Sequence, residues 1–437
     1  MAPPLLTSYG LSLLPVDCFA PLARRRGSIW LDSSLTRNDR GRYSYLAARP
    51  VGEIRLARGR TEVVDSRGGV RQYDRDEFVG ELEKIRLSND LTAIGFISYE
   101  ATLPWLGLSP SYSQETPDAH FFVYDRLHRY DNLTGEYSDT DLATQLHETD
   151  TYRESDTSVE PPTEPAITPY LTRDEYLNLV AIIKHDIREG DIYQANLTSR
   201  FDVRYGLGPF AAYLRLRRLN PCWYGGFLNF GDYQVLSSSP ERMLLWQNDR
   251  IVSSPIKGTI ARGRDADETE RNLQALLHSE KDRAELVMIV DLVRNDLGKF
   301  ARTGSVRVDN LCRTEVHSSL IHLVADVSAE TEPGCTLAEV LRALLPGGSI
   351  TGCPKRRAVE ILRELEVSPR SVYTGCIGYV GSGRAEFNIA IRTMVHRNGI
   401  FRIHAGGGIV ADSDPEAEYA ELLLKARNLF HSLGVTL

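Results

Sequence analysis

The 437-residue chain reads as a mixed α/β (α+β) protein, and a few features of the sequence lead to that class. Strand-like runs such as RRRGSIWLDSS, EIRLARGRTEVVDS and LTAIGFISYEA crowd residues 1–137, separated by Gly, Asp and Asn turns. Long helical patterns occupy residues 281–299 (KDRAELVMIVDLVRNDLGK) and 415–431, the second with Pro415 in its first turn. Tight turns at Asn248 with Asp249, and at Asn398 with Gly399, each join two strand-like runs.

Along the chain, residues 1–137 form a β-rich N-terminal region. Residues 138–170 are acidic and rich in Thr, Ser and Pro. Their first third suits a short helix, and Pro161, Pro162, Pro165 and Pro169 make the rest a linker or surface loop. Residues 171–437 carry the chemistry. They open with Thr172 three residues before Glu175, a capping box that starts a helix.

Composition narrows the function. With 51 basic against 59 acidic residues the chain is net −8, which argues against a general nucleic-acid binder. The short basic run ARRRG at residues 23–27 reads as an exposed turn. No apolar run is long enough to span a membrane, and the N-terminus lacks the basic start and cleavage site of a secretory leader. The 6 cysteines lie far apart without a CxxC pair, as expected of a reduced cytoplasmic protein.

Several residues stand out chemically. VSSPIKGTIARG sets Lys257 between a Pro–Ile pair and a glycine, after an apolar strand. A nucleophilic lysine must be neutral near pH 7, and a partly dry site favours the neutral amine. The same stretch also suits a solvated lysine at a strand end. Asp282 and Glu285 lie one turn apart on one helix, and Glu418 and Glu421 repeat the spacing on another. Such oxygen donors suit Mg²⁺, while the spacing alone more simply gives solvated helix faces, with Glu421 and Lys425 as an ion pair.

In FNIAIRTMV, strand alternation places Asn388, Ala390, Arg392 and Met394 on one side, away from the Ile/Val face. Arg392 then suits either a bidentate carboxylate contact or a structural salt bridge. PGGSITGCPKRRAVEIL is a Gly-rich turn into a helix starting near Pro354, where free N–H groups favour an anion. His322 sits in an apolar run, the usual place of a hydrogen-bonded core histidine, and Glu241 follows Ser239 and Pro240 at a strand end.

Residues 171–433 resemble the chorismate-utilising enzymes: the first components of anthranilate and aminodeoxychorismate synthases, and the isochorismate and salicylate synthases. GDIYQANLTSRF, SSSPERML, PIKGTIARG, AELVMIVDLVRNDLGK, PGGSITGCPKRRAVEIL, YTGCIGYVG, EFNIAIRT and AGGGIVADSDPEAEYAELLLKA carry the likeness, in the family's order. Anthranilate synthases have alanine within PIAGT, whereas the aminodeoxychorismate branch has PIKGT, as here. Isochorismate and salicylate synthases place a water-delivering lysine at the Gln194 position, and glutamine suits addition of ammonia.

The resemblance implies a large sandwich of antiparallel sheets with surrounding helices, to which both parts of the chain contribute. It implies chorismate as substrate, Lys257 as covalent nucleophile, Glu241 as general acid, His322 beside the leaving oxygen and Gln194 near incoming ammonia. Mg²⁺ would be held by Glu285 and Glu421, with Asp282 and Glu418 assisting. Arg392 and Tyr373 would bind the enolpyruvyl carboxylate, with Ser349, Lys425 and the backbone of Gly406, Gly407 and Gly408 completing an anion site. Ammonia would come from a separate glutamine amidotransferase subunit, and the product would lead to p-aminobenzoate and folate. The rival readings are anthranilate synthase component I and a non-catalytic chorismate- or tryptophan-binding protein. In some relatives a tryptophan pocket lies where WLDSSLTRNDRGRYSYL falls here, a stretch that departs from their LLES pattern.

Overall fold

The computed structural model describes residues 14–35, 41–138, 164–316 and 320–436. Its strands form two large antiparallel sheets, one of 11 and one of 12 strands. The sheets lie face to face across a cluster that takes Ile29, Leu228, Val235 and Val395 from one, and Ile94, Phe96, Phe122 and Ile377 from the other. Neighbouring residues point outward to the helices. Trp30 and Leu236 pack under helices Arg173–Arg188, Pro209–Leu219 and Pro415–Ser432, while Phe121 packs under Glu77–Leu87 and Glu280–Gly298. Because both faces of the inner strands are covered, runs such as AHFFVY are apolar throughout rather than alternating; every residue of Ala119–Tyr124 is buried.

Both parts of the chain build both sheets. Ser28–Asp32 pairs with Tyr224–Asn229, and Thr92–Ile97 pairs with Cys376–Gly381. The N-terminal strands therefore lie inside the catalytic half's sheets, and strand pairing joins the two parts as expected from the resemblance.

Local signals act where the sequence places them. Thr172 Oγ1 accepts from Glu175 N at 3.3 Å and Glu175 Oε2 accepts from Thr172 N at 2.7 Å, starting helix Arg173–Arg188. Gln247 faces Arg250 across the turn at Asn248 and Asp249, and Arg397 faces Ile400 across Asn398 and Gly399. Asn248, Asn398 and Gly399 take positive φ (58°, 53° and 71°), as tight hairpin turns require. Helix Lys355–Leu365 begins directly after Pro354.

Two expectations change. FNIAIRTMV is not one strand: Arg384–Asn388 belongs to one sheet and Thr393–Arg397 to the other, and residues 389–392 cross between them. Ile389 and Ala390 are consequently buried in different clusters, and Arg392 has φ 49°, so simple alternation does not set its direction. At the end of the Pro/Thr-rich segment, Ala166–Pro169 is a strand paired with Arg204 to Phe201. Pro169 is tolerated there because the strand is a sheet edge. The short helix suggested early in that segment lies outside the described residues.

Candidate active site

Lys257 lies on strand Ile256–Ala261, which pairs with Leu320–Glu330. Gly258, at φ 71°, shifts the register between Lys257 and Thr259. Its missing side chain also admits Asp282, whose Cβ would stand 2.9 Å from a Cβ at this position. On the opposing sheet Gly408 faces Asn196 in strand Gln194–Arg204. A Cβ on Gly408 would lie 2.3 Å from Gln194 Nε2 and 3.4 Å from Lys257 Nζ. The fold thus brings Lys257 and Gln194 to one point, kept open by a glycine.

Gln194 is fully buried, yet neither amide atom has a hydrogen-bond partner among the described residues. A buried amide without partners costs free energy unless a ligand or water supplies them. Glu241 is buried beside the backbone of Ile256, the residue before Lys257, and Ser349 Oγ donates to its Oε1 at 2.9 Å. Burial pushes its carboxyl up to about 7, against the opposing pull of the Ser349 hydrogen bond and the Lys257 charge. Burial likewise lowers the Lys257 amine, with Glu285 opposing and Lys425 adding to the effect. One group is pushed towards the neutral acid and the other towards the neutral base, which is the pairing that acid-assisted nucleophilic attack needs.

His322 is buried on Leu320–Glu330, with Nδ1 2.8 Å from Thr259 Oγ1. The sequence did not single out Thr259, although it is two residues from Lys257 and on the same strand.

The acidic residues converge from two helices. Asp282 lies in the first turn of Glu280–Gly298, where Ser279 Oγ donates to it, and Glu285 is one turn on. On helix Pro415–Ser432, Ser413 Oγ donates to Glu418 Oε1 at 2.6 Å, and Glu418 Oε2 is buried without a hydrogen-bond partner among the described residues. Ser413 is a second partner that sequence reasoning passed over. Burial raises the Glu418 carboxyl, and the like charge of Glu421 adds to this. Burial works the same way on Glu421, but Lys425, 2.6 Å away, and Lys257 together hold its carboxyl below the usual range.

A Cβ on Gly407 would come within 3.2 Å of Glu418 Oε2 and 3.8 Å of both Glu421 Oε1 and Lys425 Nζ. Lys425 Nζ also donates to Gly406 O at 3.0 Å. Gly406, Gly407 and Gly408 are therefore strand residues whose bareness makes room, not a phosphate loop.

Among the described residues no three His, Cys, Asp or Glu side chains form a metal cluster by themselves. The set is nonetheless oxygen-only and acidic, with an unpartnered carboxylate oxygen. That fits Mg²⁺, which commonly takes one or two protein carboxylates and completes its shell with water and substrate.

The segments that carry Arg392 and Tyr373 are held together by the backbone: Thr374 N donates to Ala390 O and Ala390 N to Gly375 O, both at 2.9 Å. Arg392 Nη1 donates to Asn220 Oδ1 at 2.9 Å, and burial lowers its guanidinium's pKa. An anionic ligand would offset that desolvation. Tyr373 is buried and stacked on His404, with ring centres 5.5 Å apart. A separate cavity, away from Lys257, is walled by Asp32, Tyr43, Tyr45, Tyr224, Arg242 and Glu386. It takes part of its lining from the stretch that the resemblance places at a tryptophan pocket.

A two-sheet sandwich holding a buried lysine of lowered pKa, a buried glutamate of raised pKa and paired carboxylates is suited to nucleophilic and acid–base chemistry on an anionic substrate. The chain belongs to the chorismate binding enzyme family, whose model matches residues 28–431. It is a chorismate-utilising enzyme. It is 36% identical to aminodeoxychorismate synthase component 1 of Bacillus subtilis over 355 residues, covering 76% of this chain and 75% of that one. It is 42% identical to anthranilate synthase component 1 of Aquifex aeolicus over 265 residues, covering 60% and 54%. The crystal structure of anthranilate synthase component I from Streptococcus pneumoniae aligns with TM-score 0.75 and 31% identity, covering 90% and 93% of the two chains. Its relatives divide between two activities, so the choice between them rests on the site.

Proposed function

We propose that the chain is an aminodeoxychorismate synthase component I, which converts chorismate and ammonia to 4-amino-4-deoxychorismate and water for p-aminobenzoate and folate biosynthesis. The observation that carries this reading is Lys257, held next to Gln194 with its amine's pKa lowered. The anthranilate branch has alanine at this position.

Neutral Lys257 attacks C2 of the ring. The two ring double bonds shift towards C4, and the 4-hydroxyl departs as water after taking the proton of Glu241. His322, oriented by Thr259, contacts the leaving oxygen. Ammonia then adds at C4, guided by the free amide of Gln194; the double bonds shift back and the Lys257 nitrogen leaves C2. Two displacements divide one difficult substitution. Mg²⁺, when bound by Glu285 and Glu421 with Asp282 and Glu418 assisting, would supply positive charge for the ring carboxylate. Arg392 and Tyr373 bind the enolpyruvyl carboxylate, and Ser349, Lys425 and the glycine strand close the site around it.

Ammonia is assigned to a glutamine amidotransferase partner. The cysteine that most resembles an amidotransferase nucleophile is Cys376, in TGCIG. It is buried in a strand, and burial pushes its thiol up, the reverse of what a nucleophile needs. The chain alone should use ammonium at alkaline pH and fail with glutamine. Glutamine-dependent turnover lost on replacing Cys376 would overturn the partner assignment.

Mass spectrometry of the product formed from chorismate, Mg²⁺ and ammonium tests the whole reading. Aminodeoxychorismate is expected. Fluorescent anthranilate with release of pyruvate would instead support the second reading, anthranilate synthase component I, favoured by the Aquifex and Streptococcus relatives. No turnover would support a non-catalytic binding protein.

A further inference from the structure

One buried guanidinium joins the separate segments that carry the site. Arg370 Nη2 donates to Asn196 O at 2.7 Å, and Nη1 donates to Ile350 O at 2.9 Å and Thr374 Oγ1 at 3.4 Å. Asn196 lies two residues from Gln194, Ile350 next to Ser349, and Thr374 next to Tyr373. Glu366, at the end of helix Lys355–Leu365, accepts from Arg370 Nε at 2.8 Å and from Nη2 at 2.6 Å. The Tyr99 ring lies against the guanidinium, 4.6 Å away.

The backbone of the same turn is held from the N-terminal part. Glu100, just past strand Thr92–Ile97, accepts from Arg370 N at 2.7 Å and Ser371 N at 2.9 Å, one bond to each carboxylate oxygen. Thr116 Oγ1 lies 2.7 Å from Ser371 Oγ. The turn needs this support because Ser371 and Thr374 have φ 58° and 60°, a region unfavourable to residues with a side chain and most of all to a β-branched one. Strain of this kind persists only where the surroundings over-determine it.

We propose that Arg370 and Glu100 are positioning residues that lock the Gln194, Ser349 and Tyr373 segments into the register chorismate binding requires. Through them the N-terminal part sets the affinity of the site. The inference rests on placing chorismate at these segments and is independent of which product is made. Arginine is needed because its planar fork satisfies several acceptors in different directions at once, which a lysine cannot do.

The test is equilibrium binding of chorismate to the full chain with Mg²⁺ and without ammonia, followed by fluorescence, alongside chorismate consumption with ammonium. Glu100→Gln keeps the side chain's volume and one acceptor. It is expected to raise Kd and KM roughly tenfold, with kcat at saturation changed less than about threefold. Arg370→Lys should do so more strongly. Thr116→Val, which removes only the support on Ser371 Oγ, should weaken binding by about threefold. A folded Glu100→Gln chain that binds as wild type does would overturn the proposal. So would unchanged affinity in Thr116→Val, which decides the matter if the other two variants do not fold. Formation of anthranilate would refute the proposed function and leave this test standing.

Discussion

Replacing Gly408 by alanine perturbs the site by one methyl group whose effect can be worked out in advance. The added Cβ would meet Gln194 Nε2 at 2.3 Å and Gln194 Cδ at 3.2 Å, with Lys257 Nζ at 3.4 Å. The first contact is impossible, so the Gln194 amide must swing away by about 1 Å, while Lys257 is left in ordinary contact; misplacement on that scale costs roughly 100-fold in rate. A loss of that size is about 2.7 kcal/mol of transition-state stabilisation. Gly408 is an ordinary strand position without positive φ, so the backbone accepts alanine and the melting temperature should shift by no more than about a few degrees. Initial rates with chorismate, Mg²⁺ and ammonium, together with a melting curve, form the assay. Gly298→Ala is the control, because its new Cβ would meet nothing within 4 Å. A Gly408→Ala enzyme with wild-type kcat and KM would refute the reasoning and remove Gln194 from the reacting region.

Lys257→Ala should abolish the covalent adduct seen by intact mass while leaving a residue of turnover, since alanine stands here in anthranilate synthases; an adduct of unchanged yield would mean another nucleophile. Glu285→Gln and Glu421→Gln should each raise the Mg²⁺ concentration needed for half-maximal rate by about tenfold or more, because each removes one of few charged oxygen donors. If both retain the wild-type requirement, the helix pair does not hold the cation. At fixed free ammonia, the rate should rise as Lys257 loses its proton, below a lysine's usual range, and fall above about pH 7 as Glu241 loses its own. Glu241→Gln should lower kcat by roughly 100- to 10,000-fold and remove the alkaline fall; a persistent fall would assign it to a different group.

Local chemistry in the sequence determined a good deal of this molecule. Thr172 with Glu175 starts a helix, and Asn248 and Asn398 turn hairpins, because caps and left-handed turns depend only on residues a few positions apart. The same holds for the carboxylate pairs: a spacing of three on a helix puts Asp282 beside Glu285 and Glu418 beside Glu421 whatever surrounds them. The stretch around Lys257 raised the question of a nucleophile without deciding it, since it also suits a solvated lysine at a strand end.

Only the tertiary structure decided what those residues face. Gln194 reaches Gly408 because two strands far apart in the chain pair in one register, and Lys257 reaches it from the other sheet; nothing near Gly408 in the sequence encodes that. The crossing at residues 389–392 was hidden because the apolar residues there serve two different clusters, so their pattern imitates a single strand. Thr259 with His322, and Glu100 with Arg370, are partners 63 and 270 residues apart. A hydroxyl or a carboxylate has no periodicity that announces its partner. Its role appears only when sheet pairing has brought the two segments within hydrogen-bond distance and burial has removed the water that would otherwise take the partner's place.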